Sequence, residues 1–342
     1  MAIFTRRRCG HRSAPVAARP RSRIAVAGAV VVAALAAASP LLAAPFQTET
    51  EPNDIFATAN PVSVSPAGAV AGSLAAGNVD YLGFAAASGN LVTLSVFDLT
   101  PALPIDNDSF AGLLRPDGTV AATDDDDGPG LLSALHFVAD SAGQWAAAIT
   151  GFGDLDLDGS GHTSAFDYVV VISTGASHAS SGANGTLASA DAIPSAGLEA
   201  TGAVSVEGAI DGDVAFFTLF IASGKFVTAS IFDFTPDVAN DSDSLLGIFR
   251  PDGSLFAVDD DEGPELLSSL AFATDQSGPW GFAVSGFPDD QFTGDHGQEF
   301  AYRLVIGAEV PEPAALAVFG FGLAALGLAR RRRVAAELPL AR

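Results

Sequence analysis

This sequence contains a long internal repeat, which limits the folds that are open to it. The segment RPDGTVAATDDDDGPGLLS at 115–133 returns as RPDGSLFAVDDDEGPELLS at 250–268, an offset of 250 − 115 = 135 residues. The same offset places Trp145 on Trp280. Each unit of roughly 130 residues has the size of an ordinary domain, so the pattern predicts a tandem duplication and not a solenoid of short repeats.

Each repeat has the pattern of β structure. Leu91–Phe97 (LVTLSVF) and Phe226–Phe232 (FVTASIF) are short runs rich in β-branched and aromatic residues, each following a glycine and ending before an aspartate. Pro-Asp-Gly at 116–118 and 251–253 suits a tight turn between strands. No window within 45–310 shows a sustained helical period. We therefore predict an all-β protein of two tandem antiparallel β-sandwich, jelly-roll-like domains. Further strands of the first domain are predicted at 81–84, 111–115, 135–138, 144–149 and 168–173.

Composition predicts where the two domains begin and end. We expect the first sandwich at 45–174 and the second at 186–309. Between them, residues 175–185 are mostly Gly, Ser and Ala, which is the composition of a flexible linker.

The N-terminal 44 residues have the pattern of a secretory signal peptide. Residues 1–23 carry seven arginines and no acid, and 24–44 are almost wholly apolar, which predicts a signal helix. Cleavage after Ala38 or after Ala44 is compatible with the small residues there. The Arg6-Arg7 pair leaves a twin-arginine signal open beside an ordinary Sec signal.

The C-terminal region predicts a membrane-directed segment. A Pro-Glu-Pro turn at 311–313 precedes a 16-residue apolar run at 314–329 and four arginines at 330–333, followed by a tail at 334–342. As a transmembrane-like helix the run would extend about 24 Å, short of a hydrocarbon core of roughly 30 Å. The arginines would stay on the cytoplasmic side, which places everything before Val310 outside.

The charge between the two terminal segments excludes one class of partner. Residues 45–310 hold four Lys or Arg and 38 Asp or Glu, a formal charge of 4 − 38 = −34. Such a surface repels nucleic acid and anionic membranes and favours divalent cations. Cys9 is the only cysteine and lies in the leader, so the exported part has no disulfide.

Clustered aspartates are the main candidate binding residues. Oxygen ligands are what Ca²⁺ requires, and adjacent carboxylates repel one another unless a cation or water screens them. The candidate calcium ligands are Asp106, Asp108, Asp124, Asp125, Asp126 and Asp127 in the first repeat and Asp241, Asp243, Asp259, Asp260 and Asp261 in the second. Because the two groups of each repeat flank a Pro-Asp-Gly hairpin, they can meet at one end of the sandwich. The alternative is that these are solvated turn residues.

A second, weaker calcium pattern lies at 154–159. The run Asp-Leu-Asp-Leu-Asp-Gly copies the first half of a calcium loop, but position 12 is Ala165 and not Glu.

The residue types give little indication of a catalytic site. The exported part has no Cys, and His136, His162, His178 and His296 fall in no nucleophile motif. His136 lies in a strand run, where a packed or edge histidine is the simpler interpretation. Carboxylate pairs for glycoside hydrolysis stay open, although no pair is singled out. The recurring tryptophans are interpreted as core residues, with sugar stacking as the alternative.

The opening of the first repeat resembles a known domain family. EPNDIFATANPV at 51–62, followed by Asp80-Tyr81-Leu82-Gly83-Phe84, the Pro-Asp-Gly turn and an Asp-rich loop, resembles the bacterial pre-peptidase C-terminal domain. That resemblance implies a small β-sandwich appended to secreted proteins, often calcium-associated and often concerned with substrate or matrix attachment. It covers 50–173 well and 182–307 less well, where Ala215 stands in the place of Asp80.

The C-terminal segment resembles the PEP-CTERM sorting signal. The matching residues are Pro311, Glu312 and Pro313, the apolar run, and Arg330, Arg331, Arg332 and Arg333. The resemblance implies recognition by an exosortase, a membrane transpeptidase, with cleavage near the Pro-Glu-Pro turn. A permanent short anchor is the alternative.

Together these patterns predict an exported, non-catalytic protein of the cell surface or extracellular matrix. It would insert in the inner membrane transiently, bind calcium and associate with exopolysaccharide. A secreted polysaccharide-acting hydrolase with an unrecognised carboxylate site is the alternative, and a structural matrix component without a specific ligand is a third interpretation.

Overall fold

A computed structural model describes residues 46–99, 107–234 and 242–309. The predicted signal helix, sorting signal and tail lie outside these ranges, as do Asp106 and Asp241. Within the described ranges, no helix is both long enough and apolar enough to cross a membrane.

The described residues of the first repeat form ten strands in two five-stranded sheets. The inner sheet has the order β1-β3-β10-β5-β8, and the outer sheet has the order β2-β4-β9-β6-β7. The strands are β1 Gln47–Thr48, β2 Asn60–Pro61, β3 Ala67–Leu74, β4 Asp80–Ala86, β5 Leu91–Asp98, β6 Ser109–Leu114, β7 Val120–Asp124, β8 Ala134–Val138, β9 Gly143–Gly151 and β10 Phe166–Ser173.

The second repeat reproduces the first strand by strand. Its inner sheet has the order β11-β13-β20-β15-β18, and its outer sheet has the order β12-β14-β19-β16-β17. The strands are β11 His178–Ala179, β12 Asp191–Ala192, β13 Ala203–Asp211, β14 Ala215–Ile221, β15 Phe226–Asp233, β16 Ser244–Phe249, β17 Leu255–Asp259, β18 Ser269–Ala273, β19 Gly278–Gly286 and β20 Glu299–Ala308. One short α-helix, α1 Ala196–Thr201, and the 3-10 turns Phe56–Thr58 and Leu187–Ser189 complete the described part. The predicted tandem all-β architecture is confirmed.

Most strand pairs are antiparallel, as predicted. The exceptions are the short opening strands, since β1 pairs in parallel with β3 and β2 with β4, and the second repeat does the same. The Pro-Asp-Gly turn has the expected chemistry. Asp117 Oδ1 accepts the backbone N–H of Thr119 at 3.0 Å, and Gly118 has a φ of 83°, which glycine adopts without strain.

The core of each sandwich lies between its inner and outer sheets. Trp145 and Trp280 are 1% and 0% exposed and belong to the two cores. Each indole N–H donates to a backbone carbonyl at 3.0 Å, that of Ser141 and that of Gln276. The tryptophans are therefore core residues, and the sugar-stacking alternative is wrong.

The two inner sheets pack against each other, so that the molecule has four β layers. A third apolar cluster joins them and contains Phe97 and Val171 from the first repeat and Phe232 and Val305 from the second. Strand β5 is buried from Leu91 to Phe97, because one face meets its own core and the other meets the second repeat. Strands buried on both faces become near-continuous apolar runs in sequence.

The segment predicted as a flexible linker, 175–185, is hydrogen-bonded to the second repeat. Strand β11 pairs with Val206 and Glu207 of β13, and the backbone N–H of Ser177 donates to the carbonyl oxygen of Ser205 at 2.9 Å. Backbone pairing at a sheet edge depends little on side-chain type, so small residues here join the sheet.

Candidate functional site

A group of polar side chains, here called the acid cluster, lies at one edge of the first repeat. It consists of Glu49, Glu51, Asp80 and Tyr168 together with the amide side chains of Asn53 and Asn78. The segment after β1 supplies the two glutamates and Asn53. The start of β4 supplies Asp80, and β10 supplies Tyr168.

Hydrogen bonds connect the members of the acid cluster. The Tyr168 hydroxyl oxygen lies 2.9 Å from Asp80 Oδ2 and 3.1 Å from Glu49 Oε2. The Asn78 amide donates to Glu51 Oε1 at 2.9 Å and to Asp80 Oδ1 at 3.1 Å. Three carboxyl groups thus share one small region with no cationic side chain among these partners.

Burial and like charge change the ionisation of the acid cluster. Asp80 is 0% exposed, and this burial, together with the charges of Glu49 and Glu51, raises the pKa of Asp80 to about 8. Burial also raises the pKa of the Tyr168 hydroxyl well above its ordinary value. At neutral pH Asp80 therefore holds a proton in this arrangement.

The donor set of the acid cluster fits a hard divalent cation. All its charged groups are carboxylates, and the buried Oδ1 of Asn53 has no hydrogen-bond partner. Oxygen donors of this kind are what Ca²⁺ takes, and a cation would reverse the electrostatics that keep Asp80 protonated. In the described ranges, however, no group of three or more Asp, Glu, His or Cys is already arranged to hold a metal ion.

Close backbone approach shapes the acid cluster. A Cβ added at Gly72 on β3 would overlap the Tyr168 ring and crowd Glu49 Oε1, so glycine is required for the tyrosine to reach Asp80. The backbone N–H of Ser73 donates to Glu49 Oε1 at 2.6 Å and holds that carboxylate in place.

The second repeat has no carboxylate at the positions of Glu49 and Asp80. Ser180 lies one residue after β11, as Glu49 follows β1, and Ala215 begins β14 as Asp80 begins β4. Tyr302 is retained and is fully buried. The second repeat therefore does not repeat the donor set of the acid cluster, although burial and the charges of Asp213 and Asp191 raise the pKa of the Tyr302 hydroxyl.

Those predicted calcium ligands of the first repeat that lie in the described ranges meet at one end of the sandwich. Asp108 precedes β6 and faces Asp125 and Asp126 in the loop after β7, and burial followed by these two charges raises its pKa. Asp124 Oδ2 accepts the backbone N–H groups of Asp127 at 3.2 Å and Ala134 at 2.8 Å. Asp124 thus orders the loop, while burial raises its pKa to about 7.

The second repeat has the same arrangement. Asp243 faces Asp260 and Asp261, and Asp259 Oδ2 accepts the backbone N–H of Ser269 at 2.7 Å. Burial raises the pKa of Asp259 to about 6. The hairpin argument correctly brings these residues together, whereas calcium at these positions stays a prediction.

The two acidic loops touch across the repeat interface. The backbone N–H of Gly130 in the first loop donates to Glu262 Oε2 in the second at 2.9 Å. The two acidic loops thus lie on one connected surface of the molecule.

In the segment 154–159, which matches the first half of a calcium loop, Asp154 is hydrogen-bonded to protein groups. Asp154 Oδ2 accepts from the Thr150 hydroxyl at 2.9 Å and from the backbone N–H of Gly159 at 2.8 Å. In the second repeat Asp289 makes the matching bonds to Ser285 and Gly294. This buried aspartate fastens the loop in both repeats, although the alternating pattern is present in only one.

Asp80 and His136 have shifted pKa values and could act as an acid or a base, but neither is placed where a substrate could reach it. Asp80 is fully buried against Tyr168, so a substrate cannot reach it in this arrangement. His136 packs edge-on against Phe232 with 6.1 Å between ring centroids, and burial lowers its pKa. His136 is therefore a packed interface residue, in agreement with the simpler interpretation.

Sequence reasoning did not assign a ligand role to Glu49, Glu51 and Asn53. The signal that could have found them is the sequence Glu-Thr-Glu-Pro-Asn at 49–53. Its Glu-x-Glu-x-Asn spacing, directly after the short strand β1, brings three oxygen-bearing side chains to one sheet edge. Their partners Asp80 and Tyr168 come from strands up to 119 residues away, and no local pattern connects them.

One comparison with known proteins identifies the C-terminal segment. Residues 309–333 match the model of the PEP-CTERM protein-sorting motif. This confirms the predicted sorting signal. The motif implies an exported protein that an exosortase processes and that is sorted to the cell surface.

Several solved structures are similar to part of this chain, all at low identity and low TM-score. One is Aeromonas hydrophila PliG, a periplasmic lysozyme inhibitor of g-type lysozyme, at 16% identity over 35% of this chain and 96% of that chain, with a TM-score of 0.28. Another is the pre-peptidase C-terminal domain of collagenase from Bacillus anthracis, at 12% identity over 34% of this chain and 93% of that chain, with a TM-score of 0.24. No curated protein matches this sequence.

Proposed function

We propose that this protein is a non-catalytic attachment module of the cell surface or extracellular matrix. The observation that carries the proposal is the position of the sorting motif. The last strand ends at Ala308, and the motif begins at Glu309, so no linker separates the folded part from the sorting signal. After processing, the four-layer β-structure would itself be the part displayed, with its acidic surface outward.

Transient membrane insertion belongs to this proposal. The apolar run at 314–329 holds the chain while the exosortase cuts near Pro311-Glu312-Pro313, and Arg330 to Arg333 stay inside. The released part then associates with exopolysaccharide or another matrix glycan.

Calcium is the cofactor that we propose for the displayed part. In the acid cluster the ligands would be Glu49, Glu51, Asp80 and Asn53, and the ion would join the segment after β1 to the sandwich. The acidic loops after β7 and β17 are a second candidate position, where an ion would screen the repulsion between neighbouring carboxylates.

The intact mass of the protein from its native host tests the sorting part of the proposal. A species in the extracellular fraction that begins near residue 39 or 45 and ends near Pro311 supports it. A membrane-bound species that retains Arg330 to Arg333 contradicts it and favours a permanent anchor.

Binding and activity on host exopolysaccharide test the attachment part. We expect the processed protein to co-sediment with the polysaccharide in Ca²⁺ and to be released by EDTA, while an unrelated acidic protein stays in solution. A fall in the molecular weight of the polysaccharide would instead support the hydrolase.

A further inference from the structure

The four-layer arrangement creates two related grooves between the repeats, and one of them is filled by an arginine. Arg303 on β20 is 2% exposed and donates to Glu207 Oε1 at 2.6 Å and to the carbonyl oxygen of Leu91 at 2.5 Å. Its guanidinium carbon lies 5.1 Å from the centroid of the Phe234 ring. We call this the arginine groove.

The residues at the equivalent positions of the other groove are shorter and apolar. Arg303 pairs with Glu207 between β20 and β13, and the corresponding pair between β10 and β3 is Val169 with Ala71. Leu99 stands in the place of Phe234. The side chains that fill the arginine groove therefore have no counterpart here. We call this the open groove.

A cavity of about 600 Å³ occupies the open groove. Leu99 and Ala71 of the first repeat and Phe226 of the second supply apolar wall, while Glu49, Asp167 and Glu309 supply carboxylates. Asp167 is exposed, so the cavity opens to solvent. Lys225 lies near one rim, with its ammonium nitrogen 3.8 Å from Glu309 Oε2. The wall chemistry is thus apolar with an excess of negative charge.

We propose that the open groove binds a small organic cation with an apolar body, such as an aryl or alkyl amidine, guanidine or amine. Two independent observations carry the proposal. The cavity has the volume of ordinary small-molecule sites, and a guanidinium occupies the pseudo-symmetric position in the arginine groove. Phe226 and the carboxylates would enclose the ligand as Phe234 and Glu207 enclose Arg303. The proposal does not depend on sorting or on matrix attachment.

Benzamidine and its neutral isostere benzamide test the charge requirement. We expect calorimetric titration of the processed protein to give a benzamidine Kd about tenfold or more below that of benzamide, since hydrogen bonds to charged groups contribute about 1.5–3 kcal/mol. Equal affinity for the two compounds, or no binding of either at millimolar concentration, would overturn the proposal.

Two variants locate the binding. Asp167→Asn, an exposed change, should weaken benzamidine binding about threefold to tenfold with no change in benzamide binding. The double variant Ala71→Glu with Val169→Arg copies the pair of the arginine groove, fills the cavity and should abolish binding of benzamidine. Undiminished benzamidine binding in a folded double variant would place the ligand elsewhere and contradict the proposal. If the double variant does not fold, Asp167→Asn alone tests the proposal, and unchanged benzamidine binding in that variant contradicts it.

Discussion

The hydroxyl groups of Ser95 and Ser230, equivalent residues 135 positions apart, hydrogen-bond to each other at 3.0 Å. A residue that contacts its own counterpart lies on a two-fold axis, so the repeats are related as the subunits of an isologous dimer would be. Phe97 with Phe232 and Val171 with Val305 lie in the same interface cluster and follow the same symmetry. The chain is thus a covalently linked pseudo-dimer.

Truncation of an interface aromatic should destabilise both repeats together. Phe97→Ala and Phe232→Ala each remove a ring that is 1% exposed, and we expect each to lower the free energy of unfolding by about 3–5 kcal/mol. Urea unfolding followed by tryptophan fluorescence measures this loss. Phe152→Ala, at a ring that is 50% exposed, is the matched control and should have little effect. Near-neutral interface variants would mean that the repeats stabilise each other only weakly.

The acid cluster should make stability fall as pH rises. The pKa of Asp80 is raised from 3.8 to about 8 in the fold. Between those values the folded state binds the additional proton, so its stabilising contribution is fully present below pH 4 and is lost as pH rises towards 8. One such group changes the free energy of unfolding by about 1.4 kcal/mol per pH unit. Thermal unfolding in EDTA between pH 5 and pH 9 measures the slope.

The variant Asp80→Asn isolates this slope from that of other groups. Asp124 and Asp259, with pKa values of about 7 and about 6, contribute in the same direction and remain in the variant. We expect the variant to show a shallower decline than the parent protein. An identical decline in the two proteins would show that Asp80 ionises normally.

A matched pair of glycine variants separates the proposed calcium site from general packing. In Gly72→Ala the new Cβ meets Tyr168 and Glu49, and in Gly208→Ala it meets Tyr302. Both variants should lower Tm, but only Gly72→Ala should reduce the rise in Tm on adding millimolar Ca²⁺. A ligand held only by the native state raises Tm in this way. An equal calcium response in both variants would place the ion outside the acid cluster.

The strands that the sequence predicts are those with strong local signals. The sequence predicts Leu91–Phe97 almost to its observed bounds, because its β-branched and aromatic side chains are buried on both faces. It does not predict strand β3, with the sequence AGAVAGSL, because alanine and glycine have little β propensity. Its alanines are small because Ala67 and Ala69 face the second repeat, and this is a tertiary requirement.

The site was predictable only where its residues are close in sequence. The acidic loops are visible as runs of aspartate, and the repeated hairpin correctly placed Asp108 beside Asp125. The acid cluster combines positions 49, 80 and 168, and the open groove combines residues of both repeats. Such sites depend on sheet order and on how the sheets stack, and a local pattern contains neither.

Neutralising the acidic loop of the first repeat should reveal whether it binds calcium. Burial, followed by the charges of Asp125 and Asp126, raises the pKa of Asp108. In EDTA, the double variant Asp125→Asn with Asp126→Asn should therefore raise Tm slightly, because like-charge repulsion is removed. If this loop holds Ca²⁺, the variant should also lose part of the rise in Tm that calcium causes in the parent protein. If the acid cluster alone holds the ion, the rise in Tm on adding Ca²⁺ is unchanged in this double variant and is lost in Asp80→Asn. Differential scanning fluorimetry of the two variants side by side therefore assigns the cation to one position, to both, or to neither.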